Sequence, residues 1–390
     1  MTPGSLKPGS VLGVLGAGQL GAMFTDAAVR LGFRVAAWDP DPDAPAHRSA
    51  THSFQTSFTD QETFKRFADL VTVVTYEWEN VPADLCQRLE EVKPVRPSST
   101  ILRIIQDRIV QKQFLADRGF PVPRFEALTS PERLGKITSE LGYPALCKTA
   151  TAGYDGKGQW RIDRASDVPG IERALQESQR SGSRWIVETC VPFERELSLL
   201  VVRGTDGRSC VYPLVENEHE GGILRTTLAP ADVSSTLVEK AQTLARDVVE
   251  RLQGVGVFCL EFFQSAGGAL LINEIAPRPH NSGHYTLDAC LVSQFEQQVR
   301  AVCGMPLGEV SLLSSAAMVN LLGDDASTIQ TDSECRAMLR LSNTHVHLYG
   351  KRTMRPGRKM GHVTFLADHP HVAKDRAIRL RQSLSRERLP

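Results

Sequence analysis

The chain predicts a mixed α/β and α+β protein: a parallel-sheet domain at the N-terminus, a larger central domain and a small C-terminal one. Three observations carry that expectation. Over residues 11–95 short apolar runs alternate with amphipathic helical patterns, which builds a parallel sheet with helices on both faces. From about residue 99 onward helical and strand patterns mix without that regularity. At 390 residues the chain is also too long for one ordinary core, so two or three domains are expected.

In order, Val11 to Leu15 reads as a strand, Leu20 to Leu31 as an amphipathic helix and Arg34 to Trp38 as a second strand. Val71 to Thr75 is apolar and β-branched enough for a strand buried on both faces. Pro94 and Pro97 stop regular structure, and Ser98 or Ser99 can cap a helix over Thr100 to Arg118. Gly119, with Pro121 and Pro123 behind it, ends that helix. Helical patterns at 131–141 and 234–253 then alternate with strands at Ala145–Thr149, Trp185–Glu188, Leu197–Val202, Val255–Phe263 and Ala269–Glu274. The last segment carries strands at Ala316–Leu322, His345–Tyr349 and His362–Leu366 and a basic terminal helix. Leu312 to Leu322 reads as core strand rather than interface. The expected domains are 1–98, 99–310 and 311–390.

Composition narrows the function classes. Hydrophobic residues at 41% and charged residues at 23% are the balance of a soluble globular protein. Zero formal net charge leaves no global field for nucleic acid or an anionic membrane, so any anion must be held locally. The eight cysteines are scattered without a CxxC pair, which suits free thiols in a reducing compartment. The first apolar run is short and broken by Gly13, so it is neither a signal peptide nor a membrane span. A cytoplasmic protein is expected. His280 and His284 are separated by Gly283, which argues against a helical zinc pair. His345 and His347 read as one exposed and one packed histidine, and neither pair is taken as a metal site.

Gly16-Ala17-Gly18-Gln19-Leu20-Gly21 fits G-x-G-x-x-G between a strand and a helix, where glycines let backbone N–H groups face an anion. Asp39, 18 residues after Gly21, stands about where a ribose-binding acid belongs in a nicotinamide dehydrogenase. An NAD-dependent oxidoreductase is therefore the runner-up. The same glycines also serve any tight turn of a doubly wound sheet.

A second loop is more informative. Lys148 ends a strand and leads into Gly153, Tyr154, Asp155, Gly156, Lys157, Gly158 and Gln159. A Gly-rich strand–loop–strand can close over a triphosphate and shut out water. It can equally be a surface hairpin. No G-K-[ST] precedes a helix, so it is not a Walker loop. Downstream, Glu261 and Glu274 sit in apolar strands joined by the turn Gln264-Ser-Ala-Gly-Gly268, so both carboxylates can point to one face. Carboxylates in such strands need a partner, either a Lys or Arg salt bridge or a shared cation.

The order of lysine strand, Gly-rich loop, Glu strand and Asn-Glu strand resembles the ATP-grasp superfamily. Gly153-Tyr-Asp-Gly-Lys-Gly-Gln159, Asn273-Glu-Ile-Ala-Pro-Arg-Pro-His-Asn-Ser-Gly-His284 and Arg355-Pro-Gly-Arg-Lys-Met-Gly-His362 resemble one of its families, the 5-(carboxyamino)imidazole ribonucleotide synthases. Gly16 to Gly21 and Tyr76-Glu77-Trp78-Glu79-Asn80 extend the likeness over almost the whole chain.

That resemblance implies a Rossmann-like first domain and a central ATP-grasp domain with a lid at about 120–190. It implies ATP-dependent carboxylation of the amine of 5-aminoimidazole ribonucleotide (AIR) by bicarbonate through carboxyphosphate, in purine synthesis. Arg108 and Lys148 are implied for the phosphates, residues 153–159 for the closing loop, Glu188 for adenine, Glu196 for ribose and His219 for a further ATP contact. Asn273, Glu274 and Glu261 are implied for two magnesium ions. Many ATP-grasp enzymes carry asparagine two residues after the last metal glutamate, where this chain has Ala276. Gln19, Leu20, Glu77, Tyr154, Asp155, Arg278, Asn281, Lys351 and Arg358 are implied for AIR, with Asp155 as base and Arg278 orienting bicarbonate. The basic run Lys351 to Lys359 suits a ribose phosphate, and Arg358 offers the bidentate fork. A homodimer is also implied. Another carboxylate–amine ligase of the superfamily, or a nucleotide-binding regulator, remains an alternative.

Overall fold

The computed structural model describes residues 4–151, 153, 158–179, 184–323 and 325–386. Strands β1 (Val11–Leu15), β2 (Arg34–Trp38), β3 (His52–Phe54) and β4 (Val73–Tyr76) form a parallel sheet in the order β3-β2-β1-β4. β1, at its centre, is buried throughout, as an apolar run flanked by strands on both sides requires.

The helix expected over Thr100 to Arg118 is two helices, Ser99–Gln106 and Arg108–Ala116. Asp107 breaks it: its backbone is extended and its carboxylate accepts from the N–H groups of Ile109 and Val110, capping the second helix. An aspartate inside an apolar periodic pattern was the available signal.

A second sheet holds β5 (Phe125–Leu128), β6 (Ala145–Thr149), β7 (Gln159–Ile162) and β8 (Trp185–Thr189), antiparallel in the order β5-β8-β6-β7. The third and largest contains β9 (Phe193–Arg203), β10 (Ser209–Val211), β11 (Val215–Glu220), β12 (Ile223–Ala229), β13 (Gly256–Ser265), β14 (Leu270–Ala276), β15 (Ser315–Leu322), β16 (Thr344–Leu348) and β17 (Lys359–Ala367). Its order is β14-β13-β9-β11-β12-β15-β17-β16, with β10 on β9. The C-terminal strands therefore continue the central sheet through β12 and β15. β15 is buried over nearly its whole length, a core strand as its composition requires.

Two helices fix the sheets relative to one another. Gln294–Val302 packs Phe295, Val299 and Val302 into the core beneath the first sheet. From that helix Gln298 accepts from Val257 N of β13 at 2.6 Å and donates to Thr75 Oγ1 of β4 at 2.8 Å. Helix Arg108–Ala116 lies against the edge strand β14, where Gln111 Oε1 accepts from Ile275 N at 3.0 Å. The glutamine side chain thereby satisfies backbone that an edge strand would leave open. The cysteines are free thiols, six of them buried. Among the described residues no helix is long and apolar enough to cross a membrane.

Candidate active site

Glu261 and Glu274 are direct cross-strand partners in the antiparallel β13–β14 pair. Glu261 faces the more open side of β13, because Phe262 next to it turns into the core. On β14 the register slips at this point: Glu261 pairs with Glu274 while Phe262 pairs with Ile272, so Asn273 is an extra, bulged residue. A bulge re-aims side chains. Here it lets the consecutive residues Asn273 and Glu274 both line one cavity, together with Arg108, Gln111, Lys112, Lys148 and Glu188.

The lysines reach that cavity from other elements. Lys148 on β6 donates to Glu188 Oε2 of the neighbouring β8 at 2.6 Å, across a diagonal of the sheet. Lys112 lies 3.3 Å from the other oxygen of Glu188 and donates to Ile272 O. Burial would raise the Glu188 carboxyl, but the two ammonium groups overcome it and hold the group down at about 2. Burial pushes Lys112 down in turn, partly countered by Glu188. The Glu188 side chain therefore neutralises Lys148 and Lys112 inside the cavity, which leaves the adenine role implied for this segment to its backbone groups. Arg108 donates to Thr149 O at 3.1 Å and Gly153 O at 3.0 Å, anchoring the start of the Gly-rich loop. Gly158 and Gln159 lie at its far end, on β7 or next to it. Tyr154, Asp155, Gly156 and Lys157 lie outside the described residues.

The two central glutamates behave differently. Burial and the Glu261 charge together raise the carboxyl of Glu274. Glu261 is held down at about 2: burial opposes this, but His280 Nε2 stands 3.2 Å away. His280 in turn is lifted to about 10, with burial opposing and Cys259 and Glu261 raising it. His280 Nδ1 meets Ser282 Oγ at 2.8 Å, and Ser282 joins a chain through Ser198 to Asn217. Two part-buried carboxylates side by side, one of them raised by the charge of the other, form an oxygen donor set that suits Mg2+. His219 Nδ1 and Glu196 Oε2 lie 2.9 Å apart, so the implied ribose and ATP residues are bonded to each other.

The glycine loop has a different occupant from the one its motif suggests. Glu77, at the end of β4, turns both carboxylate oxygens into the helix start, accepting from Gly18 N and from Gly21 N, the latter at 2.7 Å. Asp39 Oδ2 accepts from Ala17 N at 2.8 Å. The donors a pyrophosphate would need are taken by the chain's own carboxylates, which removes the dinucleotide reading. Burial raises the Glu77 carboxyl while the Gly21 and Gly18 N–H groups pull it back. Leu20 is buried beneath the turn.

Gln19 meets the C-terminal segment directly: Lys351 donates to its Oε1 at 2.7 Å and to Lys359 O at 2.8 Å. Arg48 donates to the carbonyls of Tyr349 and Gly350, both at 2.7 Å, and ties the same loop down. Arg358 donates to Thr353 O at 2.8 Å within the Pro-Gly turn. Arg278 forks onto Glu79, with Nε to one oxygen and Nη2 to the other at 3.0 Å, and Nη1 bonds Pro279 O. Burial opposes the ionised form of Glu79, yet Arg278 holds it at about 2. Asn281 is buried with both ends of its amide unpartnered. A buried amide of this kind is satisfied by an ordered water or a polar ligand.

Sequence reasoning thus missed Lys112, Gln111, Glu79 and His280 as members of the site. Lys112 and Gln111 stand four and three residues after Arg108, the helical spacing of one face. Glu79 was visible as the second acid of Glu77-Trp78-Glu79, but nothing local marks Arg278 as its partner.

Two sheets closing on a cavity lined by lysines, arginine and paired glutamates define an ATP-dependent ligase of the ATP-grasp type. Family models agree: a ribonucleotide synthetase pre-ATP-grasp domain matches residues 10–106, an ATP-grasp domain 113–295, and a phosphoribosylaminoimidazole carboxylase C-terminal domain 316–376. The N5-carboxyaminoimidazole ribonucleotide synthase of Bacillus subtilis is 38% identical over 93% of this chain and 92% of its own length. That of Brucella melitensis is 39% identical over 92% and 97%. A solved N5-carboxyaminoimidazole ribonucleotide synthetase in its ADP complex superposes with a TM-score of 0.91 at 37% identity, covering 98% of both chains. The Aspergillus clavatus enzyme, solved with ADP and AIR, gives 0.88 at 32% identity over 97% and 99%. The chain belongs to the N5-carboxyaminoimidazole ribonucleotide synthase family.

Proposed function

We propose that this protein carboxylates the exocyclic amine of AIR with bicarbonate, using ATP, to give N5-carboxyaminoimidazole ribonucleotide, ADP and phosphate in purine biosynthesis. The observation that carries the reading is the cross-strand pair Glu261–Glu274, whose second member lines the same cavity as Arg108, Lys112 and Lys148.

Bicarbonate carbon is a poor electrophile. An oxygen of bicarbonate attacks the γ-phosphorus, ADP leaves, and carboxyphosphate forms. The AIR nitrogen then attacks the carboxyl carbon, phosphate departs with the bonding pair, and the amine proton passes to a base. Phosphoryl transfer of this kind is driven by positioning and charge compensation. Lys148 and Arg108 supply positive charge to the phosphates, while Glu188 and Lys112 keep Lys148 fixed. Glu261, Glu274 and Asn273 are the residues to hold Mg2+, which neutralises phosphate charge when bound. Arg278 spends three of its five N–H groups on Glu79 and Pro279, leaving two for bicarbonate. To residues 153–159 we assign the protection of carboxyphosphate from water, to Asp155 the role of base and to Tyr154 a further part in catalysis. AIR sits between Gln19, Leu20 and Glu77 on one side and Asn281, Lys351 and Arg358 on the other, its phosphate toward the last two. We read 1–98, 99–310 and 311–390 as the functional units, and the protein as a cytoplasmic homodimer.

ADP release, followed with ATP, bicarbonate and AIR present or omitted one at a time, tests this. Full release needs all three, and Glu274→Gln lowers kcat by roughly a hundredfold or more. Release that ignores AIR and bicarbonate but responds to another acid and amine makes the protein a different ligase of the superfamily.

A further inference from the structure

We propose that Asp288, His347 and His362 form a separate transition-metal site that takes Zn2+ and braces strands β16 and β17 against the short helix Thr286–Ala289. One ligating atom from each of these residues lies within 4.8 Å of the other two. A tetrahedral zinc with bonds of 2.0–2.1 Å needs its donors about 3.3 Å apart, so binding must draw the group together and tilt the His347 ring out of its stack on His362. His347 Nε2 already stands 3.0 Å from Asp288 Oδ2.

The backbone explains the convergence. His347 and His362 are direct partners across β16 and β17, and their rings lie 4.5 Å apart and 15° from parallel. Asp288 comes from the short helix Thr286–Ala289, which follows the turn that carries Asn281. His345, two residues from His347, shares its face of β16 and reaches Asp288 Oδ1 at 3.4 Å. Both histidines therefore lie on one side of the strand, each part-exposed, contrary to the expectation of one exposed and one packed, because residues two apart on a strand share a face.

The independent sign of a ligand is His362. It is fully buried, its Nδ1 is bonded to Tyr349 Oη at 2.8 Å, and its Nε2 has no partner. A histidine held through one ring nitrogen by a second group, with the other left open, is the arrangement that orients a metal ligand. Two imidazoles and one carboxylate select Zn2+ or Co2+ over Mg2+, which prefers oxygen alone. Half-exposed His347 leaves an entry path, through which water can supply the fourth ligand. This site does not depend on the catalytic reading.

Chelator-stripped full-length protein, with its nucleotide site saturated by Mg-ADP, is titrated with Co2+ and followed by visible absorption, then challenged with Zn2+. The proposal expects one saturable equivalent with ligand-field bands that zinc displaces, and a higher Tm with metal. His347→Gln and Asp288→Asn abolish both effects while melting like stripped wild type, and Glu274→Gln keeps both. Absence of a saturable band in the wild type overturns the proposal. So does a band that survives both His347→Gln and Asp288→Asn, or one lost in Glu274→Gln.

Discussion

Lys351 shows how much of this site rests on single side chains meeting from opposite ends of the chain. Its ammonium joins Gln19, more than three hundred residues away, and faces the ring of Tyr349 at 5.5 Å. On the proposed assignment this cation, held beside the N-terminal helix start, serves the phosphorylated substrate and not the nucleotide. Lys351→Ala is therefore expected to raise KM for AIR about 10- to 100-fold, the worth of one charge-assisted hydrogen bond, and to leave KM for ATP nearly unchanged. Initial rates against each substrate check the split. At this scale the residue types were readable in the sequence: glutamates in apolar strands, a lysine before a glycine loop, arginine in a proline-rich run. Their partners were not. That Glu77 fills its own glycine loop, or that Glu188 belongs to two lysines, depends on which strands lie side by side.

The elements explain why the pairing comes out this way. The bulge at Asn273 turns two successive residues toward the cavity, and regular alternation would have sent one of them into the core. Gln298 sits on the helix that joins the first sheet to the third, bonded to both. Gln298→Leu removes two buried hydrogen bonds and leaves Val257 N and Thr75 Oγ1 unpaired, so a loss of about 2–3 kcal/mol is expected. Chemical denaturation measures the loss, and a smaller fall in kcat should accompany it as the Gln19–Lys351 side shifts against β13. Three of the four strands of the first sheet were legible because each is a short apolar run in strict alternation with helix. β3, β5, β10, β11 and β12 escaped notice because they are brief or polar-interrupted, and their strand character comes from neighbours. The broken helix at Asp107 was misread because Ile101, Ile105 and Leu115 keep helical spacing across the break.

Across the whole molecule, the site is assembled from three sheets and is held by buried charges, and that couples stability to pH. Glu188 and Glu79 both drop from an ordinary 4.5 to about 2 on folding. A group whose pKa is depressed in the folded state stabilises that state above its unfolded pKa and loses the contribution as pH falls toward the folded value. The protein should therefore keep its Tm down to about pH 5 and lose it steeply between 4.5 and about 2, with Glu188→Gln flattening the fall. Thermal melts over that range give the comparison. The central claim is chemical: ATP activates bicarbonate by phosphorylating it. It is tested most directly by running the reaction with heavy-oxygen bicarbonate and AIR and weighing the released phosphate. The account predicts one bicarbonate oxygen in each phosphate formed, because the C–O bond of carboxyphosphate breaks on the carbon side. Phosphate carrying only solvent or ATP oxygen, while N5-carboxyaminoimidazole ribonucleotide accumulates, would contradict it.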